Sequence, residues 1–193
     1  PADASMPGSV PRGRWAEAEA VYRDLTRLRP DHPDGLFGLA FALGEQGNWT
    51  SAEVEYRRVI EIDPDRREAH FNLAVACAAQ GLLAEAESGF RHVVESRPDM
   101  PLALLRLAGC LAEQRKWDEA EHLYRRVAAV DPGSCEAHVN LGLVRRRLSD
   151  RSGAEAAFAA AASLRPKDAE DHLNVGYAMV ELGRYGDAET MFR

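Results

Sequence analysis

Cysteine is scarce in this sequence of 193 residues, which holds three, at Cys77, Cys110 and Cys135. An odd, scattered set of thiols is not a disulfide framework, and there is no Cys-x-x-Cys pair of the kind that binds zinc or carries redox chemistry. Lysine and arginine number 24 against 31 aspartates and glutamates, which leaves a net charge of −7. This acidic balance argues against general binding to nucleic acid, because its phosphates attract basic surfaces.

Long hydrophobic runs are also absent. A membrane-spanning helix needs ~20 consecutive apolar residues, and no segment of the sequence has them, so we expect no insertion into a membrane. The sequence begins at Pro1 without the features of a secretory signal peptide, which favours a cytoplasmic location. A leader removed before residue 1 would leave no trace in it.

Catalytic motifs are missing as well. The sequence has no Gly-x-Ser-x-Gly, no His-Glu-x-x-His and no glycine-rich phosphate loop. Catalysis needs a nucleophile or an acid–base pair held in place by partner groups. We therefore expect neither an enzyme nor a bound cofactor in these residues.

What the sequence does have is a period of 34 residues, marked by proline. An alanine stands twelve residues before each proline and an aromatic residue stands eight before it. The prolines are Pro30, Pro64, Pro98, Pro132 and Pro166; the alanines are Ala18, Ala52, Ala86, Ala120 and Ala154; the aromatics are Tyr22, Tyr56, Phe90, Tyr124 and Phe158. Ala188 and Phe192 hold the same two places a sixth time. Self-similarity at this period indicates one structural unit repeated along the chain.

The other half of the unit repeats too. A large residue followed by a small one comes nine and ten residues after each proline, from Leu39-Ala40 onward. Glycines at 47, 81 and 183 separate two stretches of helical periodicity, as a glycine just past a helix end does. Because proline cannot continue a helix, each unit is predicted to contain a helix, a glycine turn, a second helix and a proline turn.

Helix starts agree with this interpretation. Pro33 and Pro101 suit the first turn of a helix, where a missing N–H costs nothing. Asp65 and Glu68 have the spacing of a capping box, so we expect Asp65 to cap the helix that follows Pro64.

The run from Leu36 to Pro64, LFGLAFALGEQGNWTSAEVEYRRVIEIDP, resembles a tetratricopeptide repeat almost throughout. The resemblance covers residues 13–193 and implies an all-α fold, an α-α superhelix in which antiparallel helix pairs stack as a right-handed solenoid. Residues 1–12 lack the pattern and are predicted to be a flexible terminus or linker. The predicted units are 13–32 (a second helix alone), 33–66, 67–100, 101–134, 135–168 and a truncated 169–193.

Some positions depart from the pattern. Arg145 stands where other units place Leu43, Cys77, Leu111 or Met179. Arg115 and Ser149 replace the turn glycine, so we expect looser hairpins there. Neither end of the array carries the polar capping repeat that solenoids usually have, which suggests a piece of a longer chain or ends that associate with something.

Histidines and tryptophans also follow the repeat. His70, His138 and His172 each lie six residues after a proline. Equivalent places in stacked helix pairs are ~20 Å apart, so these side chains cannot converge on one metal, and we expect half-buried packing residues. Trp15, Trp49 and Trp117 each lie fifteen residues before a proline, where a structural role at the start of the second helix is favoured over a stacking platform.

Four aromatic residues remain once the repeat positions are subtracted: Phe37, Phe41, Phe71 and Tyr177. They lie seven or eleven residues after a proline and so share one face of the first helices. In tetratricopeptide repeat proteins the first helices line the concave surface, so the resemblance implies a peptide-binding groove there. Its predicted floor is Phe37, Phe41, Phe71, Val75, Leu105, Leu143 and Tyr177.

A polar row runs along the same face, eight residues after each proline. It consists of Asn72, Arg106, Asn140 and Asn174. Asparagine both donates and accepts hydrogen bonds, which suits a peptide backbone, and a similar row lines the repeat domain of the O-linked N-acetylglucosamine transferases. The alternative is that asparagine serves contacts between helices.

Arg146 and Arg147, at the end of a first helix, are either a complement to the helix dipole or an anchor for an acidic ligand. Some arrays of this family grip the C-terminal carboxylate of chaperones with lysines, asparagines and an arginine. Asn72 and Arg106 fit that clamp, but Phe37, Phe41 and Leu102 do not, so we reject it for units two to four.

Three functions remain open. The first is a protein–protein interaction scaffold that holds an extended or helical segment of a partner. The second is the substrate-recognition arm of a larger transferase. The third is self-assembly through the uncapped ends. The many alanines and the preference for arginine over lysine are typical of a GC-rich bacterial genome.

Overall fold

The computed structural model describes residues 14–192, and in that range the chain folds into eleven α-helices without a β-strand. The helices are α1 (Trp15–Leu28), α2 (Pro33–Glu45), α3 (Trp49–Ile62), α4 (Arg67–Ala79), α5 (Leu83–Ser96), α6 (Pro101–Glu113), α7 (Trp117–Val130), α8 (Cys135–Arg147), α9 (Arg151–Ser163), α10 (Ala169–Glu181) and α11 (Tyr185–Phe192). The predicted flexible segment 1–12 lies outside the described residues.

The described residues divide into two compact units, with the division between Glu95 and Ser96. In the first unit, α1 packs on α2, α2 on α3 and α3 on α4, while α2 also touches α4. In the second, each helix from α6 to α10 packs on its successor, and α8 also packs on α10. Each unit is therefore built from helix pairs whose first helices are neighbours.

Proline starts two of the first helices, as predicted. Pro33 and Pro101 are the first residues of α2 and α6, where the ring fixes a helical φ and the absent N–H has no helical partner to lose. The prediction that Asp65 caps α4 is wrong. The N-cap is Arg66, without a side-chain cap, because the turn after Pro64 delays the helix until Arg67.

Small residues on first helices make room for the aromatic ring of the next helix. A Cβ added at Gly142 in α8 would lie 2.6 Å from the Phe158 ring of α9, well inside van der Waals contact. The large neighbour of this glycine, Leu141, is buried. The large-then-small pair thus fills the core with one residue and admits the second helix with the other.

The turns within helix pairs share one conformation. Gly47, Gly81 and Gly183 have φ values of +78°, +77° and +74°, and Arg115 and Ser149 adopt 62° and 64°. In all five the N–H of the next residue donates to the carbonyl four places before the turn residue, at 2.8–2.9 Å. The expected looser hairpins at Arg115 and Ser149 are wrong, since these turns keep the glycine geometry, although a side chain is unfavourable in it.

Arg145 replaces a residue that is buried in every equivalent helix, yet it leaves no unpaired charge. Its Nε donates to Glu121 Oε1 at 3.0 Å and one terminal nitrogen donates to the Gly153 carbonyl at 3.3 Å. In the first unit, the equivalent glutamates, Glu19 and Glu53, instead accept hydrogen bonds from the side-chain amides of Gln46 and Gln80, both at 2.7 Å. Position 148, which follows 46, 80 and 114 in that series of glutamines, is leucine, so Arg145 supplies the missing donor.

Candidate functional site

In the first unit, one residue of the predicted groove floor lies in the core instead. Phe37 is 4% exposed and packs edge to face on Tyr56, with ring centroids 5.6 Å apart. The guanidinium of Arg66, from the following unit of the repeat, lies 4.4 Å above the same ring. Phe37 is therefore a core residue, and its assignment to the groove floor does not agree with its burial.

The other predicted residues of the first unit keep part of their surface. Phe41 packs edge to face on Trp15, and Phe71 does so on Phe90, each pair with centroids 5.6 Å apart. Phe41, Phe71, Asn72 and Val75 are all half-buried. The rings are thus fixed in orientation by a neighbouring helix while one side faces outward.

Asn72 already has a partner within this unit. Burial raises the pKa of the Tyr56 hydroxyl strongly, the charge of Glu45 adds to the increase, and a hydrogen bond from Asn72 partly opposes it. The asparagine therefore divides its hydrogen-bonding capacity between a core tyrosine and the surface.

In the second unit the predicted residues range from half-buried to exposed. Leu105, Asn140, Leu143 and Asn174 are half-buried, and Arg106 is exposed. Tyr177 is 37% exposed. The charge of Arg106 acts on a neighbour, since burial raises the pKa of the Glu136 carboxyl and Arg106 partly opposes this rise.

We define the first-helix surface as the predicted groove residues without Phe37. In the first unit these are Phe41, Phe71, Asn72 and Val75; in the second they are Leu105, Arg106, Asn140, Leu143, Asn174 and Tyr177.

A cavity of about 270 Å³ opens on this surface between α6, α7 and α8. We call it the Trp117 cavity; its walls are Ala112, Glu113, Trp117, Tyr124, Asn140, Leu143, Val144, Arg146 and Arg147. It brings together four predicted site residues: Asn140 of the polar row, Leu143 of the floor, and both Arg146 and Arg147. The other walls are mainly residues of α6 and α7.

The two arginines differ in what holds them. Arg146 pairs with Glu181 of α10 and also lines a second cavity, of about 340 Å³, with Phe158 and Glu155. Arg147 is exposed and forms neither an ion pair nor a hydrogen bond with any residue from 14 to 192. Of the predicted acidic-ligand anchor, only Arg147 is therefore unengaged.

Glu181 also acts on Tyr177, one turn earlier on α10. Burial raises the pKa of the Tyr177 hydroxyl first, and the hydrogen bond and charge of Glu181 raise it further, while Arg146 lowers it. Arg146, Tyr177 and Glu181 thus form one polar cluster between α8 and α10.

Comparison with known families decides what this scaffold is. One tetratricopeptide repeat model matches residues 12–70, 43–99 and 78–141, and a second model of the same description matches residues 139–193. The chain belongs to the tetratricopeptide repeat family. The predicted resemblance and the all-α repeat fold are confirmed.

Solved structures of similar fold are also TPR proteins. MamA from Desulfovibrio magneticus RS-1 has a TM-score of 0.74 at 20% identity, covering 77% of this chain and 84% of that chain. A thermophilic TPR protein of Thermus thermophilus has a TM-score of 0.65 at 21% identity, covering 83% and 88%. YrrB, described as a TPR protein with an unusual peptide-binding site, has a TM-score of 0.67 at 16% identity, covering 90% of each chain. No curated protein sequence matches the chain.

Five walls of the Trp117 cavity were not among the predicted site residues of this TPR chain: Ala112, Glu113, Trp117, Tyr124 and Val144. Trp117 and Tyr124 lie on a second helix at repeat positions, so the sequence assigned both to packing. Glu181, the partner of Arg146, was missed as well. Its place in the repeat was the available signal. Glu181 lies fifteen residues after Pro166, one place beyond the fourteen that separate Arg146 from Pro132.

The histidines serve the backbone. His70 and His138 are half-buried, and their Nε2 atoms lie 2.8 and 3.1 Å from the carbonyl oxygens of Pro64 and Pro132. His172 is exposed, contrary to prediction, and uses Nδ1 at 2.7 Å from the Asp168 carbonyl oxygen. Across residues 14–192 there is no group of three His, Cys, Asp or Glu side chains that could hold a metal.

The three thiols are buried. Cys77, Cys110 and Cys135 form no disulfide with one another. Burial, reinforced by Asp171, raises the pKa of the Cys135 thiol to about 11. The thiolate is the nucleophile and the metal ligand, and at neutral pH a group with this pKa is protonated.

Of the helices between residues 14 and 192, none is both long and apolar enough to cross a membrane.

Proposed function

We propose that the first-helix surface of this TPR chain binds an extended or helical segment of a protein partner, as a scaffold and not as an enzyme. The observation that carries the proposal is the Trp117 cavity, which combines apolar walls with the side-chain amide of Asn140. In our proposal each repeat unit, beginning at 33, 67, 101, 135 and 169, contributes residues of its first helix to the surface.

The chemistry of the surface suits a peptide. An asparagine amide both donates and accepts, as a peptide backbone does, and half-buried rings such as Phe41 and Phe71 gain further burial when a side chain covers them. The fold it shares with YrrB, a TPR protein with a peptide-binding site, supports the same use of the scaffold.

The free energies of the proposed contacts indicate a modest affinity for a peptide. A hydrogen bond contributes ~0.5–1.5 kcal/mol net, and a ring that becomes fully buried contributes ~1.5–3 kcal/mol. After the costs of association, a few contacts of each kind give a Kd in the micromolar range.

Selection from a displayed library of short random peptides tests the proposal. Peptides that the chain enriches are then synthesised, and their Kd values are measured by fluorescence anisotropy. We expect Phe41→Ala, and the double change Asn72→Ala with Asn140→Ala, to weaken binding by about 1–2 kcal/mol. The proposal fails if no peptide is enriched, or if both variants bind as the unchanged chain does.

Two controls accompany these variants. Val54→Ala removes an apolar side chain that is 53% exposed on the second helix α3, so it is expected to leave the affinity unchanged. Circular dichroism checks that helicity is retained, which matters for Phe41→Ala because its ring packs on Trp15.

A second candidate function is self-association. On α10, Leu173, Tyr177 and Val180 are 60%, 37% and 36% exposed and lie four and three residues apart, so they form one apolar stripe. The residue of α8 equivalent to Leu173 is Val139, which is buried in a cluster with Ala178 of α10. We therefore propose that a second copy of the chain covers the stripe.

Sedimentation velocity tests this second candidate. We expect a dimer whose fraction rises with concentration, and we expect Leu173→Glu to abolish it. A monomer at every concentration contradicts self-association and leaves peptide binding untouched.

A further inference from the structure

Tyr124 is the most unusual polar group of the Trp117 cavity. It is 3% exposed, it lines the cavity, and its hydroxyl has no hydrogen-bond partner within residues 14–192. All fully enclosed side-chain nitrogens and oxygens in that range do have partners. The Tyr124 hydroxyl is therefore not fully enclosed, although almost all of the side chain is buried.

The first unit offers a direct comparison. There the equivalent tyrosine, Tyr56, receives a hydrogen bond from Asn72. Asn140 holds the place of Asn72 in the second unit, but neither it nor Tyr124 is hydrogen-bonded to the other or to a further described side chain. Tyr124 and Asn140 thus line the same cavity with a hydroxyl and an amide that have no side-chain partner among residues 14–192, and both groups can bond to a ligand.

The remaining walls are apolar and the space is large enough for a side chain. Trp117 and Leu143 are half-buried, and Val144 is buried. An apolar cavity of about 150 Å³ accepts benzene, so 270 Å³ accommodates a large apolar or aromatic side chain with part of its backbone. The unpartnered hydroxyl and amide then lie where the backbone of that residue would need them.

Charge at the rim separates the two units. Arg146 and Arg147 line the cavity, whereas Ala78 and Ala79 hold the equivalent places in the first unit. Arg146 is paired with Glu181, so Arg147 is the cation left for a ligand. The acidic residue of the lining lies on α6, whereas Arg147 lies on α8. An acidic ligand group is thus attracted to the α8 side of the rim.

We propose that the Trp117 cavity binds a large apolar side chain of a peptide segment and that Arg147 pairs with an acidic residue adjacent to it. Asn140 and Tyr124 would bind the backbone between these two residues. This inference rests on the proposed peptide-binding function and assigns it a sequence preference.

The peptide selection is repeated with three full-length variants to test the preference. Arg147→Glu reverses the rim charge, Ala112→Phe fills the cavity from α6, and Tyr124→Phe removes only the hydroxyl. Arg165→Glu is the matched control, because Arg165 is an exposed arginine of the same unit outside the cavity and the net charge changes equally. Circular dichroism and thermal melting confirm that each variant is folded.

We expect the unchanged chain and Arg165→Glu to enrich peptides in which a large apolar residue adjoins aspartate or glutamate. Arg147→Glu should lose the acidic preference and bind such a peptide about tenfold more weakly, because attraction becomes repulsion. Ala112→Phe should lose the apolar preference, and Tyr124→Phe should weaken binding a few-fold.

The outcomes distinguish this inference from the function on which it rests. If peptides are enriched but their sequences are the same for Arg147→Glu and Ala112→Phe as for the unchanged chain, the cavity assignment is overturned while peptide binding stands. If the chain enriches no peptide at all, the proposed function fails, and this inference fails with it. An arginine that only complements the helix dipole would change thermal stability in Arg147→Glu without altering the enriched sequences, which also overturns the assignment.

Discussion

At the scale of single residues, the turn positions show how far a backbone conformation can be kept without its preferred residue. Ser149 adopts φ 64°, close to the +74° to +78° of the glycines at equivalent places. A Cβ is unfavourable in this region of φ, and glycine is not, although glycine loses more entropy on folding. The turn geometry follows from packing of the two helices, and the local sequence only modulates its cost.

We predict that Ser149→Gly stabilises the chain by about 0.5–1 kcal/mol. The Ser149 hydroxyl has no hydrogen bond to any residue in the described range, so its removal costs nothing there. Urea denaturation measures the free energy of unfolding. Ser149→Ala is the matched control, because it removes the hydroxyl but keeps the Cβ; equal stability of the glycine and alanine variants would contradict the explanation.

Burial of Phe37 illustrates what the sequence could not predict at this scale. Its place seven residues after a proline is shared with Phe71, which keeps an exposed side. The difference lies in Arg66, whose guanidinium covers the Phe37 ring. Whether a residue at this position is core or surface depends on one long side chain from the next unit of the repeat, and periodicity carries no information about that contact.

At the scale of helices, the side-chain link between successive helices is neutral on the donor side in the first unit and charged in the second. Glutamates at equivalent places of α1 and α3 accept from Gln46 and Gln80, whereas Glu121 of α7 accepts from Arg145. Burial alone would raise the pKa of the Glu121 carboxyl, but the hydrogen bonds and charges of Arg145 and Arg125 outweigh it and lower the pKa. The charged link is therefore stronger when Glu121 is ionised.

A double-mutant cycle with Arg145→Leu and Glu121→Gln tests this link. We expect a coupling of about 1 kcal/mol at neutral pH. Because the folded-state pKa of Glu121 is lowered, its contribution is fully present above the unfolded-state pKa and disappears as the pH falls through the folded-state value. Coupling measured by urea denaturation should thus vanish in strong acid; a coupling that is the same at both pH values would show that the charge plays no part.

The same elements show how much of the fold the sequence predicts. The 34-residue period identified every first helix, and prolines at 33 and 101 start α2 and α6 as expected. Capping at Asp65 failed because a one-residue shift in the turn is enough to move the cap to Arg66. A repeat determines the order and length of helices through many consistent positions, whereas a single cap rests on a single pair.

At the scale of the whole molecule, the chain is an acidic TPR scaffold whose two units present related surfaces of different chemistry. The first unit offers aromatic edges at Phe41 and Phe71, with Asn72 partly engaged by its core tyrosine. The second offers a cavity with unpartnered polar groups and Arg147 at its rim. The sequence predicted which helices carry this surface, but not that the cavity would need a tryptophan and a tyrosine from the second helix α7, because both match the repeat and were fully accounted for by packing.

We propose that the first helices form the binding surface. The most direct measurement is a nuclear magnetic resonance titration of the nitrogen-labelled full chain with the tightest peptide from the library selection. We predict that the largest shift changes occur at the Asn140 side-chain amide, the Trp117 indole N–H and the backbone of α6 and α8. Changes confined to the exposed faces of second helices, around Val54 of α3 or Val130 of α7, would contradict the account.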